Sequence, residues 1–94
     1  MKHCIIAKFN DTVTDKAAMI DRVEALFSSA PALDGIHDHT VLRNCVDREN
    51  RYDLAIVIDM DEAALPAWDA SGLHREWKSR FGSYLAAKAI FDFE

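Results

Sequence analysis

Little in this chain points to nucleic acid, membrane or metal. Its 11 Lys and Arg residues are outnumbered by 16 Asp and Glu, for a formal net charge of -5, and the basic residues nowhere cluster. Phosphate contacts need a concentrated Lys/Arg surface, so a nucleic-acid partner is not expected. Cysteine is scarce. Cys4 and Cys45 stand far apart, with no short-spaced Cys or His pair of zinc-finger type, which argues against a structural zinc and against a disulfide scaffold. Two distant thiols fit a reducing compartment, where they serve as small hydrophobes more often than as nucleophiles. No apolar run approaches the ~20 residues of a membrane span, and the stretch before Lys8 holds too few apolar residues for a signal-peptide core. There is no internal repeat, no linker, no Gly-rich phosphate loop and no dinucleotide fingerprint. The expectation is a soluble, cytoplasmic protein forming a single domain over residues 1–94, with no metal and no cofactor.

Half of the residues are hydrophobic, enough to fold alone at this size. His3 to Phe9 alternates as a strand, with His3, Ile5, Ala7 and Phe9 on one face. Thr14 is placed to cap a helix running to about Ser29. Ile20, Val23, Phe27 and Ala30 form its buried stripe, widened by Met19 and Leu26. After Pro31 and Gly35 a second strand covers Ile36 to Asn44, with His37, His39, Val41 and Arg43 sharing a face. The charged turn Asp47-Arg48-Glu49-Asn50 leads to a third strand, Tyr52 to Asp59. Asp59 or Asp61 then caps a short helical piece. Pro66 predicts a kink or a restart near its first turn. Ser71 caps the next helix, to about Tyr84, and Lys88 to Phe93 closes the chain as a strand with Ala89, Phe91 and Phe93 together. The order β-α-β-β-α-β is the ferredoxin-like α+β plan, two helices on one face of a four-stranded antiparallel sheet. The uncovered sheet face is too apolar to stay wet, which predicts a homodimer closing a dimeric α/β barrel.

Chemistry is concentrated at the helix break, Trp68-Asp69-Ala70-Ser71-Gly72-Leu73-His74. On a helix His74, Trp77, Phe81 and Tyr84 or Leu85 share one face, so an imidazole tops an aromatic stripe. An ordinary imidazole titrates near pH 6.5 and can act as base or acid. The alternative is a histidine bonded to a backbone carbonyl or a carboxylate, holding the start of the helix. His37 and His39 have a chelating spacing but no evident third ligand.

Taken together, Lys2-His3 with Ile-Ile-Ala-Lys-Phe, Gly35-Ile36, Arg43-Asn44, Tyr52-Asp53-Leu54-Ala55, Asp61-Glu62-Ala63-Ala64-Leu65, His74 and Phe91-Asp92-Phe93-Glu94 resemble the stress-responsive dimeric α/β-barrel (Dabb) domain along the whole chain. The resemblance implies a dimeric barrel, mostly without cofactor, in a family where many members have no known activity and one plant member is a polyketide cyclase using a His and a Tyr. The family's His-Pro-x-His segment falls on Ser71-Gly72-Leu73-His74, so only the second His is kept. The cyclase tyrosine falls on Trp68, whose indole has one N–H donor and no acidic hydroxyl. These departures favour a kept pocket over a kept reaction. The expected activity is binding of a small hydrophobic molecule between helix and sheet. Trp68, Trp77, Phe81 and Phe27 are the candidate binding residues, and by family analogy His3 lies near His74. The alternatives are a cofactor-independent proton-transfer enzyme with His74 as general base and His3 beside it, or an ABM-type monooxygenase on the same barrel.

Overall fold

The computed structural model describes residues 1–94. Strands β1 (Lys2–Phe9), β2 (Ile36–Arg43), β3 (Leu54–Met60) and β4 (Leu85–Phe93) form one antiparallel sheet in the order β2-β3-β1-β4. Helix α1 (Lys16–Phe27), the short α2 (Leu65–Asp69) and α3 (Gly72–Phe81) cover one side of it. This is the ferredoxin-like α+β plan, with the second helix split in two.

Directly opposed residues of antiparallel strands point to the same face. The register therefore sets His39, Ile58, His3 and Asp92 in one row on the helix-covered face, Val41, Ile56, Ile5 and Ile90 in the next, and Arg43, Leu54, Ala7 and Lys88 in a third. Helix α1 lays Met19, Ile20, Val23, Leu26 and Phe27 onto these rows, and α3 adds Leu73, Trp77 and Phe81. Trp68, Trp77, Phe27 and Phe81 are the largest fully buried side chains. Each supplies a large share of the apolar area that drives folding.

Several local expectations are corrected. Asp15, not Thr14, caps α1, its carboxylate accepting from the Ala18 N–H at 3.0 Å. The helix ends at Phe27, and a separate turn of 3-10 helix carries Ala30 into the core. Strand β3 begins at Leu54 because Asp53 turns inward instead. Its carboxylate accepts from the Phe9 N–H at 2.7 Å and the Lys16 ammonium at 2.9 Å, which holds the Lys16 ammonium above its ordinary pKa. Helix α3 stops at Phe81 and its last turn tightens to 3-10 over Gly82–Tyr84.

The histidines of β2 do not share a face. A register shift between Ile36 and Asp38 places His37 in a bulge. Its Nε2 meets the Asp61 carboxylate at 2.8 Å, while His39 returns to the helix-covered side with a buried Nδ1 lacking any partner. No group of three or more His, Cys, Asp and Glu side chains is placed to hold a metal ion. The bulge follows Gly35, whose φ of 81° suits glycine alone. A Cβ there would stand 2.8 Å from the Ala64 Cβ, so the chain leading into α2 lies directly on this turn.

Candidate active site

Pro66 opens the first turn of α2, and the helix then breaks at Ala70. Ser71 starts α3 afresh. Its Oγ accepts from the His74 N–H at 3.1 Å and donates to the Trp68 carbonyl at 2.7 Å, so one hydroxyl joins the two helices. The break also leaves the Asp69 carbonyl without a helical partner. The His74 ring fills that vacancy, its Nδ1 lying 3.0 Å from the Asp69 oxygen. A carbonyl can only accept, so Nδ1 carries the proton and a neutral His74 keeps its lone pair on Nε2.

His74 is not inside the aromatic stripe. The buried row of α3 is Leu73, Trp77 and Phe81, and His74 lies on its flank, half-buried. The buried histidine is His3, on β1. Its Nδ1 meets Asp92 Oδ1 across the β1–β4 ladder at 2.5 Å, so the carboxylate orients the ring and leaves Nε2 unpaired. The Trp68 indole touches both imidazoles, with ring centroids 6.3 Å from His3 and 5.3 Å from His74. Its own Nε1 is buried without a partner, so Trp68 contributes to this site through its ring face and edge.

His3, His74 and Asp92 border a pocket of about 320 Å³ between α3 and β4. Trp77, Ile5, Leu65 and Ile90 supply its apolar wall, and Asp69, Lys78 and Lys88 complete the lining. The aromatic pocket expected from the sequence is thus half replaced by charge. Trp77 borders the cavity, Trp68 lies against both histidines, and Phe81 and Phe27 are sealed in the core at 0% exposure, Phe27 meeting Trp77 edge-on and Phe81 packed against it at a tilt. Asp92, Lys78 and Lys88 escaped the sequence reading. The alternation that groups Ala89, Phe91 and Phe93 puts Lys88, Ile90 and Asp92 on the opposite, helix-covered side, and this was the available signal.

A larger groove, about 680 Å³, lies at the other end of the sheet beside Asp53 and the β2–β3 loop. Lys8, Lys16, Arg48 and Arg51 face Asp11, Asp47, Glu49 and Asp53 there, with no imidazole. Size alone does not make it the better candidate, because only three of its 14 lining residues are apolar and Lys16 and Asp53 already pair.

The model of the stress responsive A/B barrel domain matches residues 1–94, the full chain. The chain belongs to this family. No curated protein matches it. Among solved structures, this Dabb chain is similar to a dimeric ferredoxin-like protein of unknown function from Thermobifida fusca, at TM-score 0.81 and 24% identity over 98% of this chain and 87% of that one. A dimeric protein of unknown function from Bacteroides fragilis gives TM-score 0.81 at 16% identity over 99% and 93%. The hydroxynitrile lyase of Passiflora edulis gives TM-score 0.76 at 12% identity over 98% and 89%. At these identities the likeness shows the shared fold alone, and the site must be read from this chain's own residues.

Proposed function

We propose that this Dabb protein holds a compact organic ligand in the pocket between α3 and β4. The observation that carries the reading is the pair of imidazoles, each with Nδ1 tied to an acceptor and Nε2 left without a protein partner, at the edge of one 320 Å³ cavity. Convergent polar groups set in a partly apolar wall are what a small-molecule site requires. The ligand is amphiphilic rather than purely hydrophobic, since only four of the ten lining residues are apolar.

A second reading, cofactor-independent proton transfer, is favoured by the His3–Asp92 pair. A carboxylate on Nδ1 fixes the tautomer and stabilises the ring as it takes a proton at Nε2. In this reading His3 is the base and His74, bonded only to a carbonyl, is the second proton-handling group. That exchanges the roles expected from the sequence. The lyase from Passiflora edulis supports the view that this fold can carry catalysis. A homodimer belongs to the same proposal, because Leu42, Phe91 and Phe93 stand exposed on the uncovered sheet face and the T. fusca and B. fragilis neighbours are dimeric. So does a cytoplasmic, stress-related role; no helix is long and apolar enough to cross a membrane.

Phenylacetone, a compact ketone with exchangeable α-protons, tests both readings. Amide shifts at His3, His74 and Trp77 on titration support the pocket, and shifts elsewhere or nowhere remove it. Deuterium uptake at the α-carbon above the buffer rate, falling about 100-fold or more in His3→Gln, supports proton transfer. Binding with uptake at the buffer rate leaves the ligand reading and removes the chemical one.

A further inference from the structure

The pocket has a direction, and its two ends differ in chemistry. Trp68 contacts both His3 and His74, which places the two imidazoles and Asp92 at one end. Lys78 follows His74 by four residues on α3, about 6 Å further along the same helix face. Lys88 precedes Asp92 by four residues on the same face of β4, roughly 13 Å along the strand. Both lysines line the cavity. Moving away from the histidines along either wall leads to an ammonium group, with Ile5, Ile90 and Trp77 between. Neither lysine forms an ion pair or hydrogen bond within the chain, whereas Lys2, Lys16 and Arg43 pair with Asp59, Asp53 and Asp21. In a chain of net charge -5, two unpaired cations on one small cavity are an unused recognition element. The lining's two carboxylates do not pair with these lysines: Asp92 is hydrogen-bonded to His3, and Asp69 closes α2 beside His74.

We infer that the pocket takes a small monocarboxylate, its anionic head held by Lys78 and Lys88, its apolar middle on Ile90 and Trp77, and its far end presented to His3 and His74. The inference rests on the ligand-pocket reading above and specifies the ligand's class. Ammonium–carboxylate hydrogen bonds are about twice as strong as neutral ones, so the head group discriminates between an acid and its uncharged analogue.

The test uses 3-phenylpropanoate and its amide, titrated into the intact protein at low salt and followed by amide shifts. The acid should bind about tenfold tighter than the amide, a difference of about 1.4 kcal/mol, and should move Lys78 and Lys88 together with His74. The preference should shrink with added salt. It should fall to within about twofold in the Lys78→Met/Lys88→Met double variant, whose fold the same spectra check. Equal binding of acid and amide in the pocket overturns the inference and leaves the pocket reading standing. A preference that survives in the double variant overturns the role of the lysines. If neither probe moves a pocket residue, the pocket reading falls and the inference with it.

Discussion

On the helix-covered side of the sheet Ile5, Ile56 and Ile58 are at most 1% exposed, whereas on the opposite side Phe91 is 62% exposed, Leu42 52% and Phe93 40%. The central strands β1 and β3 supply the first set and the edge strands β2 and β4 the second, each residue facing its side by simple alternation. Their fates differ because the chain has helices for one side only. What the covered face gains from α1 and α3, the open face must take from another surface, and Phe91 stacked on Phe93 at 5.9 Å is the most apolar part of what it offers. The candidate site lies on the covered side, at the edge where β4 extends past the cover of the helices. A packed interior there meets a strand that is still open to solvent, and a pocket results.

The sharpest way to break this comparison is to remove a side chain that only the covered face can bury. Trp77→Ala should cost about 3–5 kcal/mol, since Trp77 is 1% exposed and packs against the Phe27 and Phe81 rings. Denaturant unfolding measures it. A loss under 1 kcal/mol would mean that the stripe is not the core.

Next comes the open face. Phe91→Asp with Leu42→Asp should convert a dimer to the monomer mass in sedimentation while the far-ultraviolet spectrum stays intact. If the wild type already sediments as a monomer at micromolar concentration, the open face is not a dimer surface.

A smaller effect separates the two thiols. Cys4 is buried near the middle of the open face, and burial, with the Asp92 charge adding to it, pushes its thiol pKa up. Cys45 is exposed. Less thiolate and less access both slow alkylation. At pH 7.5 iodoacetamide should modify Cys45 first by a wide margin, and equal rates would contradict the burial of Cys4.

The smallest effect is electrostatic. Hydrogen bonding and charge from Asp61 hold His37 above its ordinary value of 6.5. A pKa raised in the folded state adds stability that is fully present below 6.5 and is lost as pH rises through the folded value. The pair is exposed, so the gain is slight. Proton NMR of the His37 ring should show a midpoint above 6.5 that returns towards it in Asp61→Asn; an unchanged midpoint would mean that the bulge contact is not formed in solution.

Much of the fold was legible because periodicity survives translation into structure. The alternation of β1, the stripe Ile20, Val23 and Phe27, the Pro66 restart and the Ser71 cap all act over a few residues and needed no partner to be recognised. The misplacements were of the same short range and reversed by a distant contact. Asp53 left its strand to bond Phe9 and Lys16, and His37 left its face to reach Asp61.

The candidate site was legible only in part. His74 and its start-of-helix role could be read from the Ser71-Gly72 break, and His3 came from a resemblance. The pairing of His3 with Asp92 joins residues 89 positions apart, so no local pattern contains it. Nor does any local pattern say that Lys78 and Lys88 border the same cavity.

By itself, then, the sequence determined the succession of strands and helices, the apolar stripes and the helix break, because these depend on side-chain spacing along the chain. Tertiary structure alone decided which histidine is buried, which carboxylate orients it and which cations stay unpaired. Those depend on the β1–β4 register and on the split between α2 and α3, which bring together groups that the chain keeps far apart.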